Sequence, residues 1–113
     1  MAEQGTETPL LDLLAKLNAD SIEASNLDPE TLMLVRIAAL ASIDAPPASY
    51  LVNLGAAAEI GIGEDEVREV LIGIAPIVGT ARIASATGNI VRALGFAIEA
   101  AELEEEVESG PAA

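Results

Sequence analysis

The segment Leu27–Ile43, "LDPETLMLVRIAALASI", decides the fold class of this chain. Asp28 is a favoured N-cap residue, and Pro29 follows at the first helical position, where its missing N–H costs nothing. After the first turn the segment is apolar on almost every side, and only Arg36 and Ser42 interrupt it. A helix that is apolar all round belongs in the interior of a protein. The segment therefore predicts a buried central helix.

On the N-terminal side of this helix the same start signal occurs once more. Thr8 stands at the N-cap position and Pro9 at the first helical position. Four leucines then recur at the spacing of one helix face, while Asp12 and Lys16 lie away from that face. These leucines are Leu10, Leu13, Leu14 and Leu17. The pattern predicts an amphipathic first helix.

On the C-terminal side four further helices are predicted, which makes about six in an all-α fold. The third starts at Asp44 or Ala45 with two prolines in its first turn and ends near Gly61. The fourth starts with acids that favour a helix N-terminus, and Pro76 is expected to kink or end it. Thr80 is expected to cap the fifth, which Gly95 stops. A sixth runs into the acidic segment 99–108, which is interpreted as a solvated helix face.

The composition restricts the partners of this single domain. Nineteen acidic residues against five basic ones give a net charge of −14, which would repel nucleic acid and anionic membranes. Apolar residues nevertheless make up 51% of the chain. This apolar excess predicts a homo-oligomer. The expected organisation is an N-terminal helix and linker at 1–26, a helical domain at 27–108 and a disordered tail at 109–113.

The chain has no cysteine and no histidine. These absences exclude disulfides, thiol catalysis and zinc–thiolate sites, and they remove the usual general base near neutral pH. The acidic segment has no EF-hand spacing, so no metal site is predicted. The first residues, "MAEQGTETP", are polar and acidic, which predicts a cytoplasmic location. The apolar stretch 71–91 contains Arg82 and Asn89, so two helices joined near Gly79 are expected there instead of a membrane span.

Three segments carry a resemblance to a known family. The "LDPxT" start is followed by "LVRIAAL", Gly61–Leu71 reads "GIGEDEVREVL", and Ile74–Ala86 reads "IAPIVGTARIASA". In this order and spacing they resemble the carboxymuconolactone decarboxylase family, which includes the alkylhydroperoxidase D-like proteins. The resemblance covers residues 27–95. It implies an all-helical fold assembled as trimers or hexamers, and a decarboxylation that needs no metal or organic cofactor.

The resemblance breaks down at one motif. The peroxidase branch of the family has C-x-x-C-x-x-H, with the histidine eight residues before the glycine that ends the helix. Counting back eight residues from Gly61 reaches Asn53, which places Pro47 and Tyr50 at the cysteine positions. Peroxide reduction of that kind needs a thiolate nucleophile, and this chain has none. A thiol peroxidase is therefore excluded.

If the decarboxylation is retained, the proton donors left are Tyr50, Glu66 and Glu69. Burial can raise the pKa of a glutamate towards neutrality and so make it a general acid. Each residue also has a structural interpretation. Acids in the first turns of a helix stabilise it by about 0.3–1 kcal/mol without any catalytic role. A tyrosine in an apolar helix is commonly a core residue.

Arg36, Arg82 and Asn53 are the candidate substrate-binding residues. Both arginines lie in apolar helices, and a guanidinium binds a carboxylate with two parallel hydrogen bonds. The alternative for Arg36 is an ion pair with Glu66 or Glu69, because a buried cation needs a partner. Asn53 lies three residues after Tyr50 and hence on the same helix face, either lining a pocket with it or bonded to nearby backbone.

Three functions remain open at this level. The first is a cofactor-free lyase or isomerase that acts on a small anionic lactone or carboxylic acid. The second is a family member that binds a small apolar or carboxylated ligand without turning it over. The third is a structural oligomeric protein that exposes its acidic C-terminal helix. The absence of sulfur nucleophiles and imidazole favours the last two, and the family resemblance favours the first.

Overall fold

A computed structural model describes residues 8–109, and within its last helix the side chains of 96–101 and 104–109 are not described. This part of the chain contains five helices and no strand. They are α1 Pro9–Ala24, α2 Pro29–Ser42, α3 Pro47–Glu59, α4 Glu64–Val78 and α5 Thr80–Ser109. The prediction of an all-α fold is confirmed. No helix in the described residues is long and apolar enough to cross a membrane.

The predicted start signals of the first two helices lie where the sequence placed them. The Thr8 N-cap precedes Pro9, although its side chain makes no capping hydrogen bond. Asp28 caps α2, and its carboxylate accepts a hydrogen bond from the backbone N–H of Thr31 at 3.4 Å. This bond satisfies one of the N–H groups that the first turn of a helix leaves unpaired. The pKa of Asp28 is lowered, first by hydrogen bonding to the Thr31 side chain and then by this bond to the Thr31 backbone.

α3 and α4 differ slightly from the predicted helices. α3 begins at Pro47, with Pro46 as its N-cap residue in extended conformation, so both prolines come earlier relative to the helix than predicted. Pro46 is held extended because the residue before a proline is sterically kept out of the helical region. Pro76 does not end α4, which continues to Val78. The chain then turns at Gly79, whose φ of +99° is readily adopted only by glycine.

The prediction of a helix break at Gly95 was wrong. α5 runs without interruption from Thr80 to Ser109, so the expected fifth and sixth helices are one helix of 30 residues. A glycine inside a helix costs only about 1 kcal/mol relative to alanine, and it stops a helix when it takes a left-handed conformation. Gly95 follows the strong helix formers Arg92, Ala93 and Leu94, and no proline follows until residue 111. The helix therefore continues through it.

The core lies where α2 meets α3, α4 and α5. The predicted central helix is confirmed, since α2 buries four of its side chains. Tyr50 and Ile37 are the largest side chains that are completely buried. The buried apolar residues are Leu32, Met33, Ile37, Ala41, Ala45, Tyr50, Ala57, Ile62, Val67, Leu71, Ala86, Ile90 and Ala93. α1 contributes none of them.

The predicted domain limits are not tested by this architecture. α1 and residues 25–28 precede α2. Ser109 is the last residue of α5, and residues 110–113 of the predicted tail lie outside the described residues. Residues 1–7 lie outside them as well.

Candidate functional site

The corner between α2 and α3 is held by polar side chains of α5. These side chains are spaced three and four residues apart, so they share one face of the helix. Their targets include backbone carbonyls at the C-terminal end of α2, where such groups lack an intrahelical partner. Arg82 donates to the Ser42 carbonyl at 3.0 Å, Ser85 donates to the Asp44 carboxylate at 2.6 Å, and Asn89 donates to the Ala45 carbonyl at 3.0 Å.

Arg82, a candidate substrate clamp, therefore has a structural partner. Its side chain is exposed, and its guanidinium lies at the C-terminus of α2. A cation is favoured at that end of a helix because the unpaired carbonyls give it a partial negative charge. This hydrogen bond takes up one N–H group of the guanidinium and helps to fix the corner. Arg82 does not lie at the cavity described below.

Asp44 occupies the strained position of the corner. Its φ is +57°, a left-handed conformation that aspartate tolerates better than most residues. The hydrogen bond from the Ser85 hydroxyl holds the carboxylate in place. The conformation turns the chain sharply between Ser42, where α2 ends, and Pro47, where α3 starts. It thereby brings the family-motif positions of α3 against the core.

Tyr50 lies at the centre of the core and is completely buried. Its hydroxyl has no hydrogen-bond partner among the described residues. Burial raises the pKa of the phenol, and the nearby charge of Asp44 raises it further. Fully burying a large aromatic side chain is worth about 1.5–3 kcal/mol. The penalty for an unpaired hydroxyl, about 1–3 kcal/mol, is of the same size, so the two roughly offset each other.

Asn53 does not extend a polar pocket from Tyr50. It is half-buried, and its side-chain amide donates to the Ser49 carbonyl at 2.9 Å, one turn back in the same helix. This bond to local backbone is the structural alternative that the sequence left open. The three positions of the family redox motif thus contain Pro47 at a helix start, Tyr50 in the core and Asn53 bonded to its own helix.

Glu66 and Glu69 lie in the first two turns of α4. The Glu66 carboxylate accepts a hydrogen bond from the backbone N–H of Gly63 at 2.9 Å, which is one half of a capping box. Glu69 lies one turn further on and is exposed. Neither residue lines the cavity described below. Their placement matches the helix-stabilising interpretation.

Arg36 contacts α1 and not α4. Its guanidinium donates one hydrogen bond to the Asn18 side-chain oxygen and a second to the Ser21 hydroxyl at 3.0 Å. Within residues 8–109 it forms no ion pair, so the expected pairing with Glu66 or Glu69 does not occur. The reason is that Arg36 is only half-buried and reaches the polar residues of the preceding helix. Two neutral oxygens then suffice for a cation that keeps part of its hydration.

A cavity of about 480 Å³ lies between α3, α4 and α5, on another side of the core. Its floor is formed by buried side chains of α4 and α5, including Val67, Leu71 and Ile90. Glu64, Arg68 and Thr87 are the polar residues of its lining, and the rest is apolar. The cavity is open to solvent on one side. We call it the apolar groove.

The polar groups of the apolar groove are few and partly engaged. The Thr87 hydroxyl donates to the Ile83 carbonyl at 2.8 Å. Arg68 pairs with Asp65 at 3.1 Å, but both side chains are largely exposed, so this surface pair is weak. Within the described residues no cluster of carboxylates or other ligands could hold a metal ion. The groove therefore offers apolar surface with one acid and one base at its margin.

None of the six residues proposed from the sequence lines the apolar groove. Sequence reasoning missed it, although one signal was present. Thr87, Ile90, Val91 and Leu94 recur at the spacing of one helix face on α5. That pattern indicates an apolar face, but it does not tell whether another helix covers the face or leaves it open.

The described part of the chain is an all-helical protein whose helix α3 starts at a proline, and the sequence contains no cysteine. The chain matches the Carboxymuconolactone decarboxylase family over residues 8–90, which is more than half of its length, and it belongs to this family. The match includes α1, whereas the resemblance noted above starts at Leu27. Comparison with curated proteins and with solved structures gave no match.

Proposed function

We propose that this chain is a non-catalytic member of the carboxymuconolactone decarboxylase family that binds a small, mainly apolar molecule in the apolar groove. The observation that carries the proposal is the groove itself. A volume of about 480 Å³ with a mainly apolar lining falls in the range of pockets that hold small ligands. Arg68 at its margin suits a ligand with an anionic end.

The placement of the predicted reactive residues supports a binding role. Glu66 serves as a helix cap, Arg36 joins α1 to α2, and Arg82 holds the α2–α3 corner. None of these residues is directed to a common site. General acid catalysis requires the acid to lie within hydrogen-bond reach of the atom it protonates. The apolar groove can hold a ligand, but Glu66, Arg36 and Arg82 do not lie beside it.

The test is titration of the protein with the dye anilinonaphthalene sulfonate, which joins an aromatic body to one anionic group. Ala58 lies in the groove lining and is exposed, so Ala58→Trp fills the groove without disturbing the core. Ala56→Trp, on the same helix and also exposed, is the matched control. We expect Ala58→Trp to weaken saturable dye binding by about tenfold or more, and Ala56→Trp to leave it unchanged.

Two results would reject the binding role. One is an absence of saturable dye binding to the folded protein. The other is equal dye affinity in wild type, Ala58→Trp and Ala56→Trp. Urea unfolding of all three proteins checks that none is partly unfolded, because expanded states also bind this dye. Native mass spectrometry of the purified protein adds an independent readout, since a bound molecule released on denaturation would identify the compound class.

The alternative is a cofactor-free lyase or isomerase, and one observation favours it. The Tyr50 hydroxyl is buried and has no hydrogen-bond partner within the described part of the chain, and such unpaired groups are found at catalytic sites. In this alternative the helices around Tyr50 separate to admit a carboxylated lactone, Tyr50 protonates the carbanion formed when the lactone loses carbon dioxide, and water returns the proton to the phenol. Turnover of such a lactone that is abolished by Tyr50→Phe would support the enzyme. Turnover that is unchanged in Tyr50→Phe would remove Tyr50 as the acid.

We further propose that the protein works as a homo-oligomer, a trimer or a hexamer. Many large apolar side chains are exposed in the single chain, among them Val52, Ile72 and Ile77. Extended apolar surface of this kind is typical of protein interfaces. Sedimentation velocity that shows a stable monomer at micromolar concentration would contradict this part of the proposal.

A further inference from the structure

α1 does not pack into the hydrophobic core of its own chain. None of its side chains is buried. Five leucines in its first nine residues are between 50% and 65% exposed, which is unusual even for a surface helix. Four of them form one face, which we call the leucine stripe, namely Leu10, Leu13, Leu14 and Leu17.

The link between α1 and the rest of the chain lies at its C-terminal half. Arg36 of α2 reaches Asn18 and Ser21, while the leucine stripe lies in the preceding turns. The radius of gyration of the chain is 16.7 Å. A compact chain of this length would have a value of about 13 Å. The chain is thus more extended than a compact domain of its length.

The apolar groove is the complementary feature. Its floor is apolar, and its open side exposes Val91 and Leu94 of α5. A net charge of −14 opposes association of two copies, so the surfaces that meet should be those with few charges. The leucine stripe and the groove both satisfy this condition.

The charges beside the two surfaces also match. Glu64 and Arg68, four residues apart on α4, border the groove. On α1, Lys16 and Asp20 have the same four-residue spacing, lie along one edge of the leucine stripe, and pair with each other at 2.7 Å on the exposed surface. A helix rises about 6 Å in four residues, so Lys16 can face Glu64 while Asp20 faces Arg68. Two α1 helices packed on each other would instead bring together segments that each carry three acids and one base.

We propose that the leucine stripe of a second copy of this chain covers the open side of the apolar groove and supplies its missing wall. The site is then incomplete in a single chain. This inference rests on the proposed function, because it takes the same groove as the binding surface. It adds that the partner's α1 closes the surface, with Lys16 and Asp20 beside Glu64 and Arg68.

The chain has no cysteine, so single cysteines can be placed without any background. Leu14→Cys labels the leucine stripe and Val91→Cys labels the groove, and both positions are at least half exposed. Ala19→Cys is the matched control, because it lies on the opposite side of α1 from Leu14 and is exposed. Pairs of variants with different tags are co-expressed, purified as mixed oligomers and treated with a short bis-maleimide.

We expect a strong cross-link between the chains that carry Leu14→Cys and Val91→Cys, and little or none between Ala19→Cys and Val91→Cys. Leu14→Cys chains that cross-link to each other at least as well as to Val91→Cys chains would overturn the proposal in favour of α1–α1 packing. Equal cross-linking of the Leu14→Cys and Ala19→Cys variants to Val91→Cys would overturn it too. A Leu14→Cys, Val91→Cys double variant that cross-links only within one chain would show that α1 folds back on its own groove.

This experiment separates failure of the inference from failure of the proposed function. Saturable dye binding that Ala58→Trp weakens, without the inter-chain cross-link, keeps the ligand site and rejects the second copy as its wall. The cross-link without dye binding keeps the contact between copies and rejects the ligand. Both readouts use the full chain.

Discussion

α1 and α2 start in the same way and end in opposite environments. Each begins with a capping residue followed by a proline, and each is rich in leucine. α2 buries Leu32, Met33, Ile37 and Ala41, whereas α1 buries nothing in the described structure. Helix formation is therefore encoded locally in both segments, but burial is not.

The difference lies in what surrounds the apolar face. α2 packs against α3, α4 and α5, so its apolar residues find partners on several sides. α1 precedes this group of helices and meets α2 through the polar contacts of Arg36. Most helical stability in proteins comes from tertiary packing and not from intrinsic propensity. α1 lacks that packing within its own chain and, in our proposal, obtains it from a second copy.

The largest expected effect separates the two helices directly. Ile37→Ala removes a completely buried side chain of α2 and leaves a cavity. We expect the free energy of unfolding to fall by about 2–5 kcal/mol at every protein concentration. Leu17→Ala, on a leucine of α1 that is 62% exposed, is the matched control. Urea unfolding at several protein concentrations measures both.

For Leu17→Ala we expect a loss that depends on protein concentration, since its packing is supplied by another chain. If Ile37→Ala costs less than about 1 kcal/mol, the core around α2 is looser than its burial indicates. If Leu17→Ala costs as much as Ile37→Ala even at high dilution, α1 is part of the core of a single chain. Either result would remove the contrast between the two helices.

A smaller effect concerns the burial of Tyr50 in the core beside α2. The pKa of Tyr50 is raised in the folded protein, chiefly by burial and then by the charge of Asp44. The neutral phenol is thus favoured by folding, and its contribution to stability is complete below the unfolded pKa of about 10. That contribution is lost as pH rises through the higher folded pKa. Wild type should therefore lose stability in alkali, and Tyr50→Phe should lose less.

The measurement is the urea midpoint of wild type and Tyr50→Phe across the alkaline range. At neutral pH we expect Tyr50→Phe to be at least as stable as wild type, because no hydrogen bond among the described residues is removed. A marked loss of stability in Tyr50→Phe at neutral pH would mean that the hydroxyl has a partner, such as a buried water. Identical alkaline profiles would mean that the phenol is accessible in the folded state.

The smallest effect concerns the connection between the two helices. Arg36→Ala removes both hydrogen bonds from α2 to α1. Since Arg36 is only half-buried, we expect the global free energy of unfolding to change by about 0.5 kcal/mol or less. Amide hydrogen exchange in α1 should become faster, while exchange in α2 stays unchanged.

The control for this prediction is the double variant Asn18→Ala, Ser21→Ala, which removes the same bonds from the α1 side. It should accelerate exchange in α1 to a similar degree, and adding Arg36→Ala to it should have little further effect. Exchange in α1 that is insensitive to all these changes would show that the helix is held by other contacts.

What could be predicted from this sequence divides in the same way: local helix signals were read correctly, and contacts between helices were not. The starts at Pro9, Pro29 and Glu64 were correctly predicted, because caps, prolines and helix-dipole charges act within one turn. The break at Gly95 was not, since a glycine signals a helix end only when the chain around it turns away. The identity of the residue at each motif position excluded thiol chemistry without any structure.

The candidate site was harder to predict, because it depends on which helices meet. Glu66 and Asn53 were identified together with their local, structural alternatives, and those alternatives describe the contacts that each side chain makes. The contact of Arg36 with Asn18 could not be read from the sequence, as nothing in a single chain tells which neighbour a long side chain will reach. The apolar groove was missed for the same reason.

The sequence by itself determined the all-helical fold, the helix starts and the family to which the chain belongs. It also showed that this chain has no cysteine for thiol chemistry. These properties depend on residue identity and on interactions within a few residues, and a linear pattern records both. The tertiary structure alone decided that Tyr50 is sealed in the core, that the polar face of α5 fixes the α2–α3 corner, and that a groove stays open between three helices. Those features arise from packing between segments distant in sequence, where the space that one helix leaves empty depends on the shapes of all the others.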